Sequence, residues 1–68
     1  MEWTTWERGL HTAPGVYGGR RGDWRIVRGS AGVEVWFRPR GYKTRGKWIQ
    51  TAKTVAAAKA VAEELTEA

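Results

Sequence analysis

The residues most able to do chemistry here are twelve Lys and Arg and five Trp in a chain of 68 residues. Ten of the basic residues fall between positions 20 and 53, where only Asp23 and Glu34 oppose them, so that stretch carries +8. Residues 1–19 carry −1 and residues 54–68 carry −2, which leaves the net charge at +5. Charge this local makes a positive surface that concentrates phosphate near it. Arginine, which dominates the stretch, grips phosphate or a guanine edge with a planar, two-pronged guanidinium. Tryptophan adds a flat ring that can stack on a base or sugar. The candidate contact residues are therefore Arg20, Arg21, Arg25, Arg28, Trp36, Arg38, Arg40, Tyr42, Lys43, Arg45, Lys47 and Lys53.

Other chemistries lack their parts. There is no cysteine, and the single histidine, His11, falls in an expected loop, so neither a structural zinc site nor a nucleophile with its base can be assembled. Ser30 sits in an expected turn. Glu63, Glu64 and Glu67 fall on the solvated last turns of an expected helix, and Asp23 and Glu34 are isolated among arginines. The glycine-rich run Gly15 to Gly22 matches a phosphate cradle only in composition, with no clear strand before it and no helix after it. We expect no enzyme, no catalytic residue, no metal, no cofactor and no small-molecule substrate.

These side chains need a frame, and the patterning predicts one α+β domain over residues 1–68: a three-stranded antiparallel meander with a C-terminal helix packed on one face. Trp24 to Arg28 and Val33 to Arg38 alternate apolar and polar residues around Gly29-Ser30-Ala31-Gly32. With a four-residue loop, Trp24 faces Phe37, Ile26 faces Val35 and Arg28 faces Val33, which puts the apolar residues on one side. Pro39 ends the second strand, and residues 39–46 form a basic loop leading to a third strand, Lys47 to Thr51. The register of that strand is open: one pairing sends Trp48 to the core, and a one-residue slip sends Ile49 there instead. Thr51 or Thr54 caps a helix running to about Thr66, whose Val55, Ala58, Val61, Ala62 and Leu65 share a stripe.

The first nineteen residues read differently. Thr4 with Glu7 matches a capping box, so a short helix over Thr5 to Leu10 would bring Trp3, Trp6 and Leu10 to one face; a flexible segment is the alternative. Residues 13–19 are dense in turn formers and read as a loop, or as a loop leading into a short irregular strand. The longest apolar stretch, Val55 to Ala62, falls far short of the roughly 20 residues of a membrane span, and no signal-peptide pattern opens the chain. We expect a cytoplasmic protein without membrane contact.

On this frame the solvent face of the sheet gathers Arg25, Trp36 and Arg38, with Arg40, Tyr42, Lys43 and Arg45 in the loop beside it. A competing placement tucks Trp36 under the N-terminal segment with Trp3 and Trp6. The runs Tyr17-Gly18-Gly19-Arg20-Arg21, Trp24-Arg25-Ile26-Val27-Arg28, Val35-Trp36-Phe37 and Thr54-Val55-Ala56-Ala57-Ala58 resemble the AP2 and tyrosine-integrase N-terminal type of DNA-binding domain. That resemblance implies DNA contact by Arg20, Arg25, Arg28, Trp36 and Arg38 through the sheet; the strand at Lys47 to Thr51 is additional to that pattern. If the Thr5 to Leu10 helix forms, the order α-β-β-β-α is similar to the double-stranded-RNA-binding domain. The expected partner is nucleic acid, DNA before RNA, with double-stranded DNA as the expected form. A rival partner is a protein, with the chain acting as a small, phage-type regulator or inhibitor that docks through exposed tryptophans.

Overall fold

The computed structural model describes residues 1–67. Its elements are β1 (Thr4–Thr5), a 3₁₀ turn (Glu7–Gly9), β2 (His11–Tyr17), β3 (Arg20–Gly29), β4 (Gly32–Pro39), β5 (Lys47–Ala52) and α1 (Val55–Leu65). The five strands form one antiparallel sheet in chain order, β1-β2-β3-β4-β5. Helix α1 lies across one face, packed on β3, β4 and β5.

The β3–β4 hairpin follows from alternation. Trp24 pairs with Phe37, Ile26 with Val35 and Arg28 with Val33, around a tight tip at Ser30–Ala31. Trp24, Ile26, Val35 and Phe37 are fully buried, and each contributes roughly 1.5–3 kcal/mol of transfer free energy. Tyr17 completes an aromatic cluster with Trp24 and Phe37, the ring centroids lying 5.0–5.7 Å apart in tilted and edge-on geometries. Such geometries suit the ring quadrupoles.

The sheet has five strands, not three. The stretch expected as a loop, or as a loop leading into a short irregular strand, residues 13–19, lies mostly within the regular strand β2, whose Ala13 is buried opposite Trp24. Its Pro14 is tolerated because β1 pairs only with His11 and Thr12, leaving the outer edge of β2 beyond them free of a neighbouring strand. The expected Thr5 to Leu10 helix is also absent. Thr4 and Thr5 are extended, and a turn closed by Trp6 N–H donating to the Leu10 carbonyl (2.7 Å) reverses the chain. Consecutive left-handed residues, Arg8 and Gly9, break any helical run there. Trp3, Trp6 and Leu10 therefore do not share a helical face.

The register of β5 resolves in favour of Ile49. Trp48 pairs with Trp36 on the face away from the helix, Ala52 pairs with Val33, and a bulge opposite Val35 accommodates the extra residue, letting Ile49 pack against the core. Thr54 caps α1, its Oγ1 accepting from Ala57 N–H at 3.0 Å. Ala58 and Ala62 are buried and bring the helix axis close to the sheet, with Val55 and Val61 packed at the margins. Leu65, expected on this stripe, is exposed instead. Past the helix, Thr66 and Glu67 cover the free edge of β2. Val16 N–H donates to Thr66 Oγ1 (3.1 Å), and Glu67 N–H donates to the Val16 carbonyl (2.8 Å). The Gly18 and Gly19 amides, in left-handed conformation at the β2–β3 turn, grip the Glu67 carboxylate at 2.8 and 3.0 Å.

Candidate nucleic-acid interface

Because α1 covers one face of the sheet, the other is left open, and strand alternation decides which side chains it carries. The register aligns Thr4, Thr12, Arg25, Trp36 and Trp48 in one row across all five strands. Trp48 is 50% exposed and Trp6, anchored by its indole N–H to Thr12 Oγ1 (2.8 Å), is 56% exposed. Trp36 is half-buried. Its neighbours are Trp48 across the strand pair, Glu34, whose carboxylate accepts the Trp36 indole N–H at 3.0 Å, and Arg45, whose guanidinium lies over the ring at 5.4 Å from the centroid. The cation–π contact holds Arg45 on this face, although it belongs to the loop.

Arg38 lies in the adjoining row opposite Asp23, and Arg21 falls on the same face by alternation. The open face thus combines Arg21, Arg25, Arg38 and Arg45 with three tryptophans, against Asp23 and Glu34. Trp36 is not packed with Trp3. That residue lies on the helix side, where its indole N–H donates to Glu63 (3.1 Å) and Lys59 sits over its ring.

The other expected contact residues are dispersed. Arg20 and Lys47 share the helix-side face with Tyr17 and Phe37 and border a pocket there with Tyr42. Arg28 also points to the helix side, its side chain beside Gly9. Arg40 and Lys43 are exposed in the β4–β5 loop, and Lys53 is exposed between β5 and α1. A charge count over a sequence segment cannot separate the two faces of a strand, which is why these residues were grouped. Trp48 and Trp6 are the open-face residues absent from the candidate contact set read from the sequence. The recurrence of Trp24, Trp36 and Trp48 every twelve residues marks strands but not faces, and the bulge in β5 decides the face of Trp48.

Among the described residues no group of three or more His, Cys, Asp or Glu is placed to hold a metal ion. No described helix is long and apolar enough to cross a membrane. No family model, curated protein or solved structure matches the chain.

Proposed function

We propose that this protein binds nucleic acid on the open face of its sheet, stacking unpaired bases on Trp48, Trp36 and Trp6 and holding the backbone with Arg25, Arg38 and Arg45. The observation that carries this reading is the row of Arg25, Trp36 and Trp48 on the face opposite α1, where Trp48 stands half exposed. Large exposed aromatic rings on a soluble surface are unfavourable unless something docks on them. Arginines interleaved with them favour a ligand that is both aromatic and anionic.

The breadth of the sheet turns the expectation of a duplex toward single strands. Strands lie about 4.8 Å apart, so five of them span roughly 19 Å between outer axes, whereas the major groove of B-DNA is about 12 Å wide. A three-stranded sheet of the AP2 type can lie in such a groove; a five-stranded face cannot do so whole. Unpaired bases meet no such limit, since each can splay onto a ring.

Fluorescence anisotropy of labelled single-stranded DNA, single-stranded RNA and duplex DNA at two salt concentrations tests the proposal. Affinity for a single strand should fall as salt rises, with a log–log slope of about −0.7 per neutralised phosphate. Duplex should bind more weakly through phosphate contacts alone. Absence of binding to all three, or a flat salt response, would contradict the proposal and favour a protein partner docking on Trp6 and Trp48.

A further inference from the structure

A pocket of about 350 Å³ opens on the helix side of the sheet, away from the tryptophan face, where α1 does not reach. Tyr17, Phe37, Pro39 and Tyr42 wall it, and Arg20 and Lys47 stand on it. Its volume lies at the lower end of the range for small-ligand sites.

The chemistry of the lining is selective. Tyr17, Tyr42 and the Pro39 ring give apolar walls above buried Phe37, two cations sit among them, and none of the lining residues is acidic. The Glu67 carboxylate, beside Gly18 at the rim, is already held by the amides of Gly18 and Gly19. The Arg20 guanidinium donates to Tyr42 Oη at 3.5 Å, which bridges β3 to the loop and steadies one wall. The loop spans both sites: Tyr42 faces this pocket, while Arg45 lies over Trp36 on the opposite side of the sheet.

We infer that this pocket binds a 5′-phosphorylated nucleotide, the base between the aromatic walls and the phosphate on Arg20 and Lys47. Stacking and charge-assisted hydrogen bonds supply the two halves of such recognition. The ligand is either a free mononucleotide or the phosphorylated end of a single strand. The inference does not depend on binding at the open face, because the two sites share no side chain.

The test titrates adenosine, adenosine monophosphate, and single-stranded oligonucleotides with either a 5′-phosphate or a 5′-hydroxyl, into the wild type and the double variant Arg20→Gln/Lys47→Gln. Both positions are exposed, so the variant should keep the wild-type circular dichroism spectrum. Adenosine monophosphate should bind more tightly than adenosine by about ten-fold or more, and the double variant should erase the difference. With adenosine monophosphate, the amides of Tyr17, Gly18 and Gly46 should shift in the NMR spectrum while the Trp36 and Trp48 indoles stay in place. A matching preference for the 5′-phosphorylated oligonucleotide assigns the pocket to a strand end; preference confined to the mononucleotide assigns it to the free nucleotide. No preference for phosphate in either pair, or shifts with adenosine monophosphate confined to the open-face indoles, would overturn the inference.

Discussion

At the scale of single residues, Trp24 is the most demanding. It is fully buried, and its indole N–H has no hydrogen-bond partner among the described residues, which costs about 1–3 kcal/mol that the packing must offset. Gly15 makes that packing possible, because a Cβ there would lie 2.5 Å from the Trp24 indole nitrogen and 2.6 Å from Thr66 Oγ1. Gly15→Ala should therefore destabilise the fold by about 2 kcal/mol through overpacking, read as a lower urea midpoint. His11 sets a pH dependence. Partial burial first, and then the positive charges of Lys59 and Arg28, push its pKa below the ordinary value, so the folded state favours the neutral ring. Its contribution is complete above about pH 6.5, the unfolded value, and is lost as pH falls from there through the folded pKa. The melting temperature should decline modestly between about pH 7 and pH 5.5, and His11→Gln should flatten that decline.

At the scale of elements, the capped helix and the central hairpin were legible because local chemistry and long-range packing agree there. Thr54 followed by an alanine-rich run predicts α1, and Thr54 does hold its N-terminus. Thr54→Ala should cost about 1 kcal/mol in a denaturation experiment, with the folded spectrum otherwise retained. The alternation of Trp24 and Ile26 against Val33, Val35 and Phe37 fixes the β3–β4 register. The strand expected at Lys47 to Thr51 is present as β5 with only its register left open, whereas β2 was hidden. β2 contains Pro14 and Gly15, residues that usually signal a turn, and the fold accepts them at an edge only because β1 stops short of Pro14. In β5 the adjacent Trp48 and Ile49 point to opposite faces in either register, and the bulge that selects Ile49 for the core leaves no mark in the alternation. Of the candidate site, Arg25, Trp36 and Arg38 were placed correctly on the open face by the hairpin register. Arg20 and Arg28 were grouped with them by charge and by the resemblance, and Lys47 by charge, and neither criterion reads strand parity.

For the whole molecule, one chain of 68 residues separates its tasks by face. The helix side holds the core and is ringed by Arg28, Lys59, Glu63 and the Glu67 clasp, while the open side carries arginines together with Trp6, Trp36 and Trp48. The tail over β2 also removes a free edge that would otherwise invite pairing between copies. The central claim is that the open face stacks unpaired bases, and the five indole N–H resonances test it most directly, since the tryptophans report on both faces and the core at once. On adding a single-stranded oligonucleotide, the signals of Trp48, Trp36 and Trp6 should shift together and saturably, while those of buried Trp24 and helix-side Trp3 stay in place. Movement of the Trp3 signal alone, or no movement of any indole at saturating oligonucleotide, would contradict the claim.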